Sequence, residues 1–401
     1  MKLSNKVVLS AVFGLPLVGC WGSDYKIGDV ARGGELTAVT PVPTLEPTSL
    51  GLTPCQDRLE IETYASLEGT HDCAGRPCVF DKVLIIGASV AVGITYDGSN
   101  LNVIGQFEHR AYFGKVQRGK VHRLSALGSG PLDYLRAERD LVAVGEPDGD
   151  AGPWVSSVYR FGAAGPERVV TVQGRASRIT SSAAGFAVRG FDRRCNPHCY
   201  EEFAWLSRHD ASGTTLFRQE FLDGAHWNDV ALGAQGTLFE YRVKYPDLSS
   251  LVRYDAAGGA QAFATIRGSY RQSAAAGPND ELVVATAQLS PEGSSDSLGV
   301  RAYDRAGSPL WSFEGLVPID RAEEVRTIIA QNGDAYVATG FYDPGTSHAV
   351  LGVLRFSPAG EVCMAGSWTF EQQFQGPVGL VETNEGIAVA TPDVIGIVPK
   401  R

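Results

Sequence analysis

Three features of the 401-residue sequence predict an all-β protein built from one repeated unit. A short apolar stretch following a tight turn recurs seven times, a second turn pattern alternates with it, and the two ends of the repeat region complement each other. Repetition at about 40 to 50 residues is typical of four-stranded blades arranged in a ring. We therefore predict a seven-bladed β-propeller of four-stranded antiparallel blades, closed by an N-terminal strand that pairs with the C-terminal blade.

The first feature is the apolar repeat, exemplified by Asp140-Leu-Val-Ala-Val-Gly145. Successive copies lie roughly 40 to 53 residues apart. The seven copies begin at Asn100, Asp140, Gly185, Gly236, Glu281, Asp334 and Gly386.

The second feature is a turn motif that follows each of five copies of the repeat at a similar distance. It is clearest in Tyr254-Asp255-Ala-Ala-Gly258 and Tyr303-Asp304-Arg-Ala-Gly307, with looser versions at 161–165, 209–213 and 356–360. Asp and Gly suit short hairpins because Asp hydrogen-bonds its own backbone and Gly tolerates positive φ. Two alternating hairpins per repeat give four strands, A to D, with the first turn joining A to B and the second joining C to D.

The third feature is the pair of ends. After the last A–B turn only one apolar strand remains, at 394–398, so the last blade lacks its fourth strand. Residues 82–86 form a strand without a partner ahead of the first repeat. Pairing these two segments would remove both free edges, so we expect it to close a propeller that spans residues 80–401.

The N-terminus reads as a processing signal rather than as part of the fold. Lys2 and Lys6 flank the start of an apolar run that is too short to span a bilayer and ends in Leu17-Val18-Gly19-Cys20. This ending resembles the bacterial lipoprotein box. The resemblance implies a signal peptide at 1–19, a covalent lipid such as palmitate on Cys20, and a cell-envelope location, with the outer membrane or cell surface favoured over the inner membrane.

Two segments separate this anchor from the repeats. Residues 20–54 are rich in Pro, Gly, Thr and Ser without apolar periodicity, which predicts a flexible, lipid-anchored tether. Residues 55–79 form a short Cys-containing lead-in.

Six cysteines besides Cys20 predict up to three disulfide bonds in an exported protein. We expect Cys195 and Cys199 to pair across a small loop. The pairing of Cys55, Cys73, Cys78 and Cys363 stays open, although one of the first three must bond Cys363 if all six are oxidised. No second ligand pair lies at zinc-binding spacing, so the sequence predicts no metal.

The Asp-Ala-Ala-Gly hairpin and the Leu310-Trp311 pair after Gly307 resemble repeats of exported bacterial propellers of the PQQ-like and related classes. The resemblance covers roughly residues 80–401 and implies fold and location. Those classes include quinone-dependent dehydrogenases and outer-membrane assembly lipoproteins. This sequence shows no adjacent-Cys or Trp-docking motif of the quinone enzymes, so no cofactor is expected besides the lipid.

Candidate ligand-binding residues follow from aligning the A strands on their A–B turns. In a propeller the D–A and B–C loops share one face, here called the top face, where the central channel opens and ligands usually bind. The aligned slot holds Asp133, Arg178, Asp229, Arg271 and Arg326, with His226, Trp227, Asn228 and Tyr270 beside it. These residues form either a pocket for an anionic or hydroxyl-rich ligand or a set of ion pairs that lock neighbouring blades. The sequence favours the ion pairs.

The functional prediction is a non-enzymatic binding or interaction scaffold held at the membrane by its lipid. A formal charge of −10 and a pI near 5.3 argue against nucleic acid as a partner. A protein or a glycan at the top face is the expected partner. Two alternatives stay open: a glycan-active hydrolase or lyase with its site at the channel mouth, and an outer-membrane assembly factor.

Overall fold

A computed structural model describes residues 52–56, 59–80, 92–128, 134–147, 154–196, 199–221, 228–244, 248–267, 271–288, 296–317, 325–343, 348–370 and 377–399. For some residues at strand ends only the backbone is described. Within these ranges all regular secondary structure is β-strand. The described part of the chain contains no helix with the length and apolar character needed to cross a membrane.

The strands form seven antiparallel blades, preceded by three short N-terminal strands: β1 (Glu62–Ser66), β2 (His71–Cys73) and β3 (Arg76–Cys78). Blade 1 contains β4 (Val92–Tyr96), β5 (Leu101–Phe107), β6 (Arg110–Gln117) and an outer edge divided into β7 (Lys120–Val121) and β8 (Ser125–Leu127). Blade 2 contains β9 (Tyr134–Glu138), β10 (Leu141–Pro147), β11 (Trp154–Gly162) and β12 (Gly165–Gln173). Blade 3 contains β13 (Arg175–Ser182), β14 (Gly185–Asn196), β15 (Cys199–His209) and β16 (Thr215–Phe221).

The remaining blades follow the same order from the innermost strand outward. Blade 4 contains β17 (Asp229–Leu232), β18 (Leu238–Lys244), β19 (Leu248–Tyr254) and β20 (Ala260–Arg267). Blade 5 contains β21 (Arg271–Ala276), β22 (Leu282–Gln288), β23 (Asp296–Tyr303) and β24 (Pro309–Val317). Blade 6 contains β25 (Val325–Ile329), β26 (Ala335–Asp343), β27 (His348–Phe356) and β28 (Val362–Phe370). Blade 7 contains β29 (Gly379–Glu382), β30 (Gly386–Ala390) and β31 (Val394–Pro399), with β1 as its fourth strand.

The innermost strands form a closed ring. Each A strand contacts the A strand of the next blade, and β29 of blade 7 contacts β4 of blade 1. The seven apolar repeats all lie on the second strand of a blade, and the five Asp–Gly-type motifs all join the third strand to the fourth. The predicted seven-bladed propeller is confirmed.

The C–D turns show why the motif needs Asp and Gly. In blade 4, Asp255 Oδ1 accepts hydrogen bonds from the backbone N–H of Ala257 at 2.9 Å and of Gly259 at 2.7 Å. Gly258 adopts a φ of +91°, which side chains with a Cβ disfavour. The turn therefore satisfies its own backbone, and the flanking strands continue directly into the sheet.

The hydrophobic core lies between blades rather than at the centre of the ring. One cluster joins Leu141 and Val158 of blade 2 to Ile179 and Phe186 of blade 3, and similar clusters lie between other neighbouring blades. Each sheet thus buries its faces against its neighbours, which leaves the inner strands to line the channel with polar residues.

The closing strand differs from the one that the sequence predicted. The free edge of β31 pairs with β1, in a register that places Glu62 opposite Ile397 and Ser66 opposite Val394. Because β30 occupies the other edge of β31, residues 82–86 cannot pair with it, and that prediction was wrong. Residues 82–86 themselves lie outside the described part of the chain.

The physical reason is that the lead-in is built into the rim of the ring. Residues 53–55 and 59–61 pair with β28 in the parallel direction, with the Cys55 N–H donating to Met364 O at 2.8 Å and the Ser367 N–H donating to Leu59 O at 2.7 Å. Ile61 is 2% exposed, and the positions that Cβ atoms on Gly366 and Gly396 would take lie 2.9 and 2.4 Å from its side chain. This fit between blades 6 and 7 delivers the chain to the open edge of blade 7.

The lead-in continues across blade 1, where β2 and β3 form a hairpin. The Ala74 N–H donates to Leu124 O and the Leu124 N–H donates to Asp72 O, each at 2.7 Å. Residues predicted to precede the propeller therefore contact blades 6, 7 and 1 in succession.

Two disulfide bonds stabilise this outer segment. Cys55 bonds Cys363 of β28, which confirms that one of the three lead-in cysteines pairs with Cys363, and Cys73 bonds Cys78 across the hairpin. The backbones of Cys195 and Cys199 lie at facing ends of β14 and β15, but their side chains are outside the described part, so their bond stays a prediction.

We expect replacement of Cys55 and Cys363 by serine to lower the free energy of unfolding by up to about 5 kcal/mol. The bond joins residues 308 apart, and cross-links that close long loops remove the most entropy from the unfolded chain. The matched control is the Cys73/Cys78 double serine variant, whose separation of 5 residues corresponds to about 2 kcal/mol. Urea unfolding measures both, and an equal or smaller loss in the first variant would contradict a clamping role.

Candidate functional site

Four of the residues predicted at the channel mouth lie on the innermost strands of consecutive blades. Arg178 is on β13, Asp229 begins β17, Arg271 begins β21 and Arg326 is on β25. The alignment of the A strands thus placed these positions correctly. Asp133, His226, Trp227 and Tyr270, together with the side chain of Arg271, lie outside the described part of the chain, so their role stays a prediction.

Asp229 links three blades. Its Oδ1 lies 3.2 Å from Nε of Arg178 in blade 3, and both side chains are less than a tenth exposed. The same oxygen accepts the Val230 N–H at 3.0 Å, and Oδ2 accepts the Ala274 N–H of blade 5 at 2.8 Å. The expected pairing of Asp229 with a flanking Arg is confirmed, and both carboxylate oxygens are engaged by the ring itself.

Other polar side chains link the inner strands in the same way. The Arg136 Nε–H of blade 2 donates to Ser177 O of blade 3 at 3.0 Å. Ser273 Oγ of blade 5 accepts the Thr327 N–H of blade 6 at 3.0 Å. These bonds satisfy backbone groups that neighbouring blades cannot pair through a continuous sheet.

Arg139 reaches across the end of the channel opposite the top face, which we call the bottom face. It lies in the A–B turn of blade 2 and donates to Ser181 O of blade 3 at 3.0 Å and to Ala276 O of blade 5 at 3.3 Å. Its own carbonyl accepts the Tyr96 N–H of blade 1 at 2.9 Å. One residue therefore connects four blades where the channel meets the bottom face.

Glu138, which the sequence analysis did not select, is the most perturbed acid described along the channel. Burial raises the pKa of its carboxyl to about 8, with a further contribution from the charge of Asp229. Arg139, Arg326 and a hydrogen bond with Thr180 act in the opposite direction. Because Asp229 and Arg326 belong to blades 4 and 6, the carboxyl of this blade 2 residue faces the channel. In the sequence it appeared as an ordinary charged residue beside a turn.

Asn228 belongs to a different cluster, between blades 3 and 4 and away from the channel. Its amide donates to Glu240 at 3.1 Å and its carbonyl accepts the Val243 N–H at 2.9 Å. Glu240 is fully buried and lies 2.7 Å from both Arg189 and Arg242. Burial by itself raises the pKa of Glu240, but the two guanidinium groups outweigh it and the net pKa is lowered. Asn228 is therefore engaged by buried charge at the blade interface.

The described channel residues offer ion pairing and hydrogen bonding, with one acid that is neutral over much of the physiological pH range. No group of three or more His, Cys, Asp or Glu in the described part of the chain is arranged to hold a metal ion. The fold and this ring of inner strands define the class: a seven-bladed β-propeller whose blades are linked by buried polar side chains.

No protein-family model and no curated protein sequence matches the chain. Solved structures do match. A chain in the crystal structure of a mitotic checkpoint complex gives a TM-score of 0.51 at 12% identity, covering 92% of this chain and 100% of that one. Kuenenia stuttgartiensis hydrazine synthase gives 0.51 at 14%, covering 79% and 96%. At these identities the similarity shows the fold alone.

We expect Asp229→Ala to cost about 3 kcal/mol of folding free energy. The change leaves the Arg178 guanidinium buried without its carboxylate and the Ala274 N–H without an acceptor. The control is Glu314→Ala, which removes an ion pair with Arg301 whose Glu side chain is 68% exposed and which contributes less than about 1 kcal/mol. Chemical denaturation measures both, and similar losses would contradict the linking role of Asp229.

We expect the stability of the wild-type protein to fall relative to Glu138→Gln as pH rises from about 4.5 to about 8. In that range the folded protein keeps a proton on Glu138 that the unfolded chain releases, so the folded state binds more protons and loses stability with increasing pH. Gln mimics the neutral acid and removes this dependence. Melting temperatures of both proteins across the range provide the measurement, and a constant difference would show that Glu138 titrates normally.

Proposed function

We propose that this protein is a lipid-anchored scaffold of the bacterial cell envelope that binds a protein or glycan partner at its top face. The observation that carries the proposal is the use of charge along the channel. Asp229 is the one carboxylate of the aligned A-strand position that the structure describes. Both of its oxygens are engaged by neighbouring blades. A rigid ring that uses its inner charges for cohesion is suited to presenting loops to a partner rather than to proton transfer.

The lipid anchor rests on the sequence. The Leu17-Val18-Gly19-Cys20 ending and the Pro-rich stretch after it support attachment through Cys20 and a spacer before the ring. Disulfide-bonded Cys55–Cys363 and Cys73–Cys78 agree with an oxidising compartment outside the cytoplasm. The first described residue, Leu52, packs against the hydrophobic cluster between blades 5 and 6, which supports a tether that would meet the ring there.

One observation favours a glycan hydrolase as the second candidate. A glycan hydrolase needs a general acid whose pKa is raised toward the working pH, and a second carboxylate near it. Glu138 has such a raised pKa, and Asp229 is close enough for its charge to contribute to it. Two contacts weigh against it. Asp229 is engaged on both oxygens, and Glu138 lies next to Arg139, which reaches across the bottom-face end of the channel. The outer-membrane assembly role is supported by the repeat resemblance alone.

The scaffold and hydrolase proposals are separated by a cross-linking experiment with an activity arm. A photoactivatable residue at Trp227, in the predicted top-face loop, should capture one envelope component in intact cells. The same residue at Ala257, which is exposed in a bottom-face turn, should not capture that component. The purified protein should release no soluble sugar from isolated envelope material. Sugar release that Glu138→Gln abolishes would replace the scaffold proposal with the hydrolase.

The anchor is tested by Cys20→Ala. We expect the wild-type protein to partition into the membrane fraction and to carry a mass increment for its acyl chains, because each buried CH₂ contributes about 0.8 kcal/mol to membrane binding. The variant should lose both. Equal membrane fractionation of the two proteins, with no lipid mass on either, would refute the anchor without affecting the fold.

A further inference from the structure

A recurring arginine occupies one slot of the repeat near the bottom face. It immediately precedes the aromatic or His residue at the end of the third strand. The slot is filled by Arg160, Arg208, Arg253 and Arg355, in blades 2, 3, 4 and 6.

In two of these blades the arginine meets a carboxylate from its own A–B turn. Arg160 Nε lies 3.2 Å from Asp140 Oδ2 in blade 2, and Arg355 Nε lies 2.8 Å from Asp334 Oδ2 in blade 6. Each Asp directly precedes the second strand of its blade. In blade 3 the corresponding turn holds Ala183 and Ala184, so the carboxylate is missing.

Arg208 of blade 3 is buried, and no other carboxylate forms an ion pair with it among the described residues. It is 8% exposed, and its Nε has no hydrogen-bond partner. The described contacts give its guanidinium no hydrogen bond or ion pair. Burial lowers the pKa of Arg208, and the charge of Asp280 opposes that effect. The group nonetheless stays charged at neutral pH, because the pKa of an arginine side chain starts far above neutral. A buried guanidinium that makes no hydrogen bond is costly.

The guanidinium lies in a space created by a glycine of the next blade. The position that a Cβ on Gly236 would take is 2.6 Å from Arg208 Nη2 and 3.4 Å from Ala184 Cβ. A Cβ at this position would therefore overlap the guanidinium, so the glycine makes room for Arg208 itself. The φ of Gly236 is +96°, a conformation that also favours glycine.

Asp280 of blade 5 fixes the turn around this space. Its Oδ1 accepts the Gln235 N–H at 2.8 Å, and its Oδ2 accepts the Thr237 N–H at 3.1 Å and the Thr237 hydroxyl. Arg305 Nε lies 3.6 Å from the same Oδ2. The charge of Asp280 therefore acts on two guanidinium groups, those of Arg305 and Arg208, while its oxygens hold the turn, and the local charge is positive.

We propose that Arg208, at the space beside Gly236 and Ala184, binds the carboxylate of a ligand at the bottom face. The bound carboxylate pairs with the arginine as Asp140 and Asp334 do in blades 2 and 6, so the chain itself shows which chemistry suits this arginine. The ligand would reach the guanidinium from the turns, through the part of Arg208 that stays exposed. The site is independent of the top-face function, since it lies at the other end of the blades.

Acetate is the probe. The thermal midpoint of the wild-type protein should rise with acetate at constant ionic strength, against chloride, by about 2 °C per tenfold increase above the dissociation constant. Arg208→Met keeps the apolar stem, removes the charge and should lose the rise. Ala184→Asp supplies a carboxylate beside the guanidinium. It should raise the midpoint without acetate and abolish the response to it.

Arg253→Met is the matched control, because Arg253 occupies the same slot in blade 4 but donates to Gln261 Oε1 at 2.7 Å in an exposed setting. It should keep the acetate response. If Arg208→Met fails to fold, Ala184→Asp decides alone, since it removes no charged group. A wild-type midpoint that rises equally in acetate and chloride, or an acetate response that survives Ala184→Asp, would overturn the proposal. A short peptide and its C-terminal amide form a second arm, in which a rise with the free acid alone identifies a peptide carboxylate as a ligand.

Discussion

The fold depends on pairing the last free strand edge. Blade 7 receives three strands from the C-terminal end of the chain, and an unpaired β31 would expose a row of backbone donors and acceptors at the rim. Strand β1 satisfies that edge, and Ile61 just before it packs into gaps left by glycines in blades 6 and 7. Because each blade buries its faces against its neighbours, closure at this one edge supports every other interface in the ring.

Closure also explains how the channel uses charge. The inner strands of neighbouring blades do not share a continuous hydrogen-bond ladder, so side chains take over the pairing of exposed backbone groups. Asp229 holds the Ala274 N–H, and Arg139 holds carbonyls of blades 3 and 5. An isolated buried charge would be unfavourable there. The ion pairs and hydrogen bonds of these side chains offset the cost of burial and hold neighbouring blades together.

Chemistry in this propeller is expected where one blade departs from its neighbours. The arginine of this slot forms an ion pair with an Asp of its own blade in blades 2 and 6, whereas Arg208 in blade 3 lies beside Ala184 and Gly236. Glu138 is a comparable departure on the channel side, since the other inner strands place no acid of similarly raised pKa among their described residues. Because the blades repeat one another, a residue that differs from its equivalents in other blades can be identified by comparison. The equivalents that form an ion pair show which partner the differing residue lacks.

The sequence by itself determined the blade number, the order of strands and the turn chemistry, because these depend on local periodicity and on residues within one hairpin. It also placed Arg178, Asp229, Arg271 and Arg326 on the inner strands, since counting from the turns is a local operation. Tertiary structure decided what local pattern does not contain. The choice of β1 over 82–86 depended on a disulfide and on packing against residues about 300 positions away. The raised pKa of Glu138 and the burial of Arg208 without a hydrogen bond at Nε likewise depend on groups of other blades, which meet only when the ring is closed.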